Sequence, residues 1–422
     1  MQIIVTILIA VCVLGTPSAS AAGASVAARP LTLAQAEALF LTRNREVLSA
    51  RRSAEAAQAD ILSSGAPPNP VLSLGTTNIG AGIGAGRPHE KRVDTTIALT
   101  QLFERGNKRE LRRSVAEQIA AAARGDQADV LRQQRTTLHA AFYDLLLAQE
   151  KVLISSESAA LFDKTMDAAE KRLKAGDIAA ADVARLRVDA LRAINESRNA
   201  QAEFQRAQQT LAYMVGLEKE ADGLSAEAAW NDPAVPPAPT TLDAIIEARA
   251  DVQAARSRVA ATERNRELAL ALRTRDVTAG LQYERYPGDV ANNTYGVTFS
   301  IPLFTRYYYD GEIRRAEVEY TAAGEDLERV RAQALTEVSR SRSDLLAAAD
   351  RAVRLRDVLL AAARKAAEGA EFAYTRGALG VMDLLDARRQ LHAARLEAAM
   401  VNADYAKALS AWRSATEASS LQ

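Results

Sequence analysis

The sequence predicts a mostly helical protein, built as a tandem repeat, that also contributes strands to a membrane β-barrel. Three observations lead there. Landmarks recur at a constant offset of 201 residues, as in the glycine-centred stretches around Gly176 and Gly377. No proline occurs between Pro88 and Pro233 or after Pro302, so very long helices are permitted. Aromatic residues are only 5 % of the chain, yet eight of its 21 fall in the 27 positions from Tyr283 to Tyr309.

The chain opens with "MQIIVTILIAVCVLGTPSASAAGASVAARP". An apolar run from Ile3 to Leu14, then Pro17 and the pair Ala19 and Ala21, reads as an export signal over residues 1–21. The run is too short to span a bilayer as a helix. Cys12 follows bulky Val11 within the apolar run, which favours a signal-core cysteine over a lipid acceptor. The mature chain is then expected to start near Ala22 without cysteine and without disulfides.

Two repeats follow, over 22–216 and 241–417, with a proline-rich linker over 217–240 and a tail over 418–422. The openings "TLAQAEALFLTRNREVLSARR" and "TLDAIIEARADVQAARSR" correspond. Next in each repeat come two candidate strands, 69–79 with 92–103, and 276–286 with 293–304. Alternation puts Val277, Ala279, Leu281 and Tyr283 on one face, and Tyr295, Val297, Phe299 and Ile301 on another. Their lengths suit a tilted transmembrane strand. Tyr283, Tyr286, Tyr307, Tyr308 and Tyr309 are candidates for the membrane interface. Four strands cannot close a barrel, and open edges are not tolerated in lipid, so several chains must share one. Three chains would supply 12 strands.

The rest reads as helix. The stretch from 107 to 175 would extend about 100 Å at 1.5 Å per residue, so it needs lateral support. Seven-residue rows supply a coiled-coil seam. They are Leu145, Val152, Ala159, Met166 and Leu173, and Leu346, Val353, Leu360, Ala367 and Tyr374 before the two glycines. After them come Val183, Ala190, Ser197, Phe204 and Leu211, and Leu384, Leu391, Ala398, Tyr405 and Trp412. Each long helix turns sharply at a glycine, Gly176 or Gly377, and six residues later an aspartate follows, Asp182 or Asp383. Glycine supplies the φ > 0 that such a turn needs.

Several functions are disfavoured. Lys+Arg and Asp+Glu are equal at 53 each, so no charge excess points to nucleic acid. His89, His139 and His392 have no metal-ligand spacing. No nucleophile elbow, phosphate loop or acid–base constellation is present, so an enzyme is set aside and no cofactor is expected. A structural coiled-coil protein of the periplasm is disfavoured by the paired strands recurring in both repeats.

The tips "RLKAGDIAAADVARLR" and "YTRGALGVMDLLDARR", with the junctions "QLFERGNKRE" and "IPLFTRYYYDGEIRRAE", resemble the TolC-type outer-membrane efflux proteins over nearly the whole mature chain. The wording "NPVL" and "FERGNKRE" is most similar to the cobalt–zinc–cadmium branch. The resemblance implies a homotrimer in outer-membrane lipid, with a 12-stranded barrel above an α-helical periplasmic tunnel. It implies two partners, a periplasmic adaptor and a proton-driven inner-membrane RND-type pump, docked through Gly176, Asp177, Gly377, Ala378, Leu379 and Gly380. It also implies a pore constriction at Asp383 and Asp386, with Asp182 and Tyr374. Leu379 stands where the best-known gate of the family has an arginine, so an arginine lock is not expected. Divalent heavy metals are the implied cargo, with drug efflux or type I secretion as the alternative.

Overall fold

The computed structural model describes residues 29–77, 93–237, 241–286 and 292–416. The export signal, the glycine-rich loop with His89, residues 238–240, the segment 287–291 and the tail lie outside the described residues. Each repeat runs helix, helix, strand, strand, long helix, turn, long helix. The first contains α1 (Leu33–Arg43), α2 (Arg45–Ser64), β2 (Val71–Thr77), β3 (Asp94–Phe103), α3 (Lys108–Ala175) and α4 (Ala180–Val215). The second contains α5 (Leu242–Ala248), α6 (Ala250–Ala271), β5 (Val277–Tyr286), β6 (Asn292–Ser300), α7 (Asp310–Arg354), α8 (Ala361–Thr375) and α9 (Val381–Thr416).

Two short strands were not expected. Arg29–Leu31 (β1) pairs in parallel with Leu224–Ala226 (β4). The segment read as a linker or equatorial segment therefore begins with a 3-10 turn, Glu218–Gly223, and a strand whose Leu224 and Ala226 are buried. Gln149 secures it by bonding both the N–H and the C=O of Ala226. Only the part after this strand behaves as a strap. Trp230 Nε1 donates to Glu150 at 2.7 Å, Arg342 donates to the Pro236 carbonyl at 2.6 Å, and the Ala234 N–H donates to the Tyr405 hydroxyl at 2.9 Å. Proline prevents helix here, and the strap meets its hydrogen bonds through side chains of the helices it crosses.

The repeat is visible in how its joints are tied. Asn44, between α1 and α2, is buried and donates to the Met214 carbonyl at the end of α4. Arg249, between α5 and α6, is 2 % exposed and donates to the Ala415 carbonyl at the end of α9. Met214 and Ala415 are themselves 201 residues apart. The joint is conserved in geometry between the repeats while its chemistry differs. Asn44 caps the amides of Glu46 and Val47, whereas Arg249 pairs with Asp251 at 2.8 Å and Glu337 at 2.6 Å. Arg132 reaches Glu337 at 2.6 Å and Asp129 at 2.8 Å, so one ionic chain crosses α3, α6 and α7.

The α4 and α9 seams are packed as the sevenfold rows require. Val183, Ala190, Leu211, Leu384, Ala398, Tyr405 and Trp412 are buried. On α3 the more deeply buried row is Ala141, Ala148, Ser155, Phe162 and Ala169, the companion of the expected one, and Leu173 is 37 % exposed. The row along α7 needs correction. Leu346 and Val353 are exposed, and the buried residues are Val338, Leu345 and Ala352, one position earlier. A π-turn over Leu355–Leu360 accounts for the difference. It inserts one residue, so the seam steps from Ala352 to Leu360 by eight and then continues to buried Ala367.

β2, β3, β5 and β6 form one antiparallel sheet in that order, leaving β2 and β6 as edges. β6 stops at Ser300, so Ile301–Phe304 are not strand as expected. Pro302 has no N–H for a ladder, and the chain turns there toward α7.

Candidate functional site

The molecule has two candidate working ends, and register defines the first. Leu72 pairs with Leu99, Leu99 with Leu281, and Leu281 with Val297. Leu74, Ile97, Tyr283 and Tyr295 form the next row in the same way. Because side chains alternate faces, these rows make one continuous apolar surface. It is open to the outside: Leu74 is 73 % exposed, Leu281 63 %, Phe299 73 % and Tyr295 84 %. The other face carries Ser73, Thr96, Thr100, Thr278, Gln282, Thr294 and Thr298, with Val71 and Leu102 at its end toward the helices. An apolar outer face and a polar inner face are what a barrel wall in lipid requires. Among the described residues no helix is long and apolar enough to cross a membrane.

Of the candidate interface aromatics, Tyr283 packs on Tyr295 with ring centroids 5.4 Å apart and planes tilted by 45°. Tyr286, Tyr307 and Tyr308 are exposed. Tyr309 departs from expectation. It is the αL residue before α7, its ring packs on Phe304, and it lies against Ala269, Ile313 and Ala316. It holds the strand-to-helix junction, a role that its place in a run of three tyrosines conceals. In the first repeat, buried Lys108 holds the junction through Asp276 at 2.8 Å and the Thr274 carbonyl at 2.8 Å.

The second end is the pair of tips. Gly176 has φ 86° and Gly377 φ 74°. The Gly176 N–H donates to Leu173 O at 3.1 Å and the Asp177 N–H to Arg172 O at 2.9 Å. Gly377 and Ala378 do the same toward Tyr374 O, 3.0 Å, and Ala373 O, 2.9 Å. Both are Schellman closures, which satisfy the last carbonyls of a helix with the amides that follow it. A Cβ on either glycine would meet nothing within 4 Å, so φ requires glycine there and crowding does not. Asp177, Ala378 and Gly380 are exposed and Leu379 is half-buried.

Three residues after each closure the next helix begins, which puts Asp182 and Asp383 in the first turn of α4 and α9. Free amides and the helix dipole favour a carboxylate there, so the repeated aspartate has a local cause. Asp182 lies 3.7 Å from Arg185. Asp386 is paired with Arg389 at 2.7 Å, and Arg389 also reaches Asp189 on α4 at 2.5 Å. Asp383 is exposed and has no ion pair among the described residues. Tyr374 accepts a hydrogen bond from Arg172 at 3.3 Å, which ties the two tips together. Below them Leu385 buries itself among Phe162, Ala169, Val183 and Leu186 of the first hairpin. Sequence reading missed the basic row on α9, where Arg389, His392 and Arg395 face Asp189, Glu196 and Glu157. Their spacing of three was the available signal. No group of three or more metal-ligating side chains is found among the described residues.

Comparison with known proteins agrees with this geometry. Residues 241–416 match the family described as "Outer membrane efflux protein". That match lies within the second repeat. The chain is 29 % identical over 384 residues to the cobalt-zinc-cadmium resistance protein CzcC of Cupriavidus metallidurans, covering 88 % of this chain and 86 % of that one. The fold is similar to that of CusC, with TM-score 0.76, 16 % identity and 91 % of each chain covered. It is similar also to the outer membrane protein VceC of Vibrio cholerae, at TM-score 0.72 and 19 % identity over 91 % of this chain and 95 % of that one. A third likeness is the MtrE channel of Neisseria gonorrhoeae, solved in an open state, at TM-score 0.74 and 15 % identity over 91 % and 88 %. These likenesses extend over the first repeat, which the family match leaves out.

Proposed function

We propose that this protein is the outer-membrane channel of a tripartite efflux pump, a passive duct for divalent heavy-metal cations. The observation that carries the channel reading is the sheet, with an apolar face outward, a polar face inward and two open edges. Such edges call for neighbours, and three chains joined β2 to β6 close a 12-stranded barrel. The long helices continue it as a tunnel, whose far end is a ring of six tips. Each tip presents a glycine closure that an adaptor helical hairpin can approach, and an inner-membrane pump behind the adaptor supplies energy. Asp383, with Asp386 and Asp182 beside it and Tyr374 at its rim, lines the constriction, where a threefold axis makes rings of carboxylate that favour cations.

Metal cargo is supported by the likeness to a cobalt-zinc-cadmium resistance protein. Deleting the gene should sensitise cells to zinc, cobalt, cadmium or a similar ion, and the wild-type gene should restore tolerance. Normal metal tolerance with heightened sensitivity to dyes or antibiotics would assign the channel to drug efflux instead.

A further inference from the structure

The apolar outer face of the sheet ends in arginines. Continuing the outward rows one step past the strands leads from Phe103 to Arg105 and from Val277 to Arg275. The intervening residues face the other way. Glu104 and Asp276 line an inner cavity of about 450 Å³ with Lys108 and Arg112. Both acids are already engaged: Glu104 pairs with Arg112, and Asp276 takes Lys108 and the Arg105 N–H. Arg105, Arg275 and Arg306 are exposed, and none has an ion pair among the described residues. Arg275 lies over the Phe304 ring at 5.5 Å, which brings it to the segment that carries Arg306. Exposed Leu303 and Phe103 flank the group.

The height fits a leaflet boundary. Tyr283 to Arg275 is eight steps along one strand, about 26 Å at roughly 3.3 Å per residue. A strand tilted by about 40° makes that about 20 Å along the membrane normal, close to the apolar band of such barrels. Exposed, unpaired guanidiniums at that level meet phosphate, and arginine binds phosphate through paired N–H groups.

From this placement we infer that Arg105, Arg275 and Arg306 form a binding site for the phosphate of a phospholipid in the periplasm-facing leaflet. The site fixes the depth and rotation of the barrel in the membrane. It rests on the reading of the sheet as a barrel wall.

The test uses the full chain in detergent, examined by native mass spectrometry after incubation with dioleoylphosphatidylglycerol or with dioleoylglycerol, which has the same tails without phosphate. The wild type should retain the phospholipid in preference to the diacylglycerol. Arg105→Gln, Arg275→Gln and Arg306→Gln should each weaken that retention by about fivefold, and the triple variant should abolish the preference. The triple lysine variant should keep part of it, and Arg314→Gln on α7 should change nothing. Excess inorganic phosphate should not displace the lipid. Full retention by the triple glutamine variant, or displacement by inorganic phosphate, would overturn the site. Particle mass and bilayer conductance of each variant report separately on the barrel, so failure of the channel reading would be seen in the wild type itself.

Discussion

Gly176 and Gly377 carry most of what single residues contribute to the tips. Each holds φ near +80° in a Schellman closure with open space where a Cβ would stand. Replacing either by alanine should therefore cost about 1 kcal/mol through backbone strain alone, read as a small fall in the unfolding midpoint. A tryptophan there should leave assembly intact and abolish export in a complementation assay, because bulk at an open tip blocks a partner without disturbing the fold. Asp383→Ala with Asp386→Ala should raise conductance in planar bilayers or weaken block by trivalent cations. Unchanged conductance, block and selectivity would place the two away from the pore. Arg249 is the residue on which stability depends most visibly. Burial pushes Asp251 up, but the hydrogen bonds and charge of Arg249 outweigh it and hold that carboxyl below the usual range. Glu337 is held low likewise against burial, by Arg132 and then Arg249. A carboxyl lowered in the folded state stabilises fully above its unfolded pKa and loses that contribution as pH falls through the folded value. The loss should thus begin below about pH 4. Arg249→Met should remove about 1–3 kcal/mol at neutral pH by leaving half-buried Asp251 without its partner, while Arg132 still holds Glu337, and flatten the acid limb of a denaturation series.

At the scale of elements, most of the pattern was readable. Glycine, proline and sevenfold spacing located the long helices because helix geometry is local and its breakers are few. The π-turn was not readable, since both registers of α7 and α8 offer apolar rows. Leu346, Val353 and Leu360 form one, and Leu345, Ala352 and Leu359 form the other. Packing chooses between them by inserting one residue at Leu355–Leu360. Val358 within it is 67 % exposed. Deleting Val358 should restore an uninterrupted α-helix with Ala352, Leu360, Ala367 and Tyr374 at strict sevens. The variant should assemble and unfold at or above the wild-type midpoint. Inserting one alanine after Val358 should instead turn Leu360 and Ala367 out of the seam, at about 2 kcal/mol or more. A deletion that destabilises as much as the insertion would show that the π-turn itself is required. The strap from Glu227 onward was legible only as proline-rich chain, because its partners Glu150, Arg342 and Tyr405 are remote in sequence.

The whole molecule is expected as a trimer. Four strands leave two open edges, and backbone groups on an edge cannot remain unpaired in lipid. Detergent-corrected particle mass should equal three chains, and a stable folded monomer would sink the architecture. The sequence by itself determined the repeat, the helix lengths, the two tips and the alternation of apolar and polar residues along the strands. These follow from periodicity, which each segment carries within itself. Only the tertiary structure decided which residues meet across segments. It joined Arg249 to Glu337, brought Arg389 to Asp189, packed Tyr309 against Ala269, and paired Phe103 with Val277 at one end of the apolar face. Charge and aromatic side chains take their roles from neighbours tens or hundreds of residues away, and a one-dimensional pattern does not contain those distances.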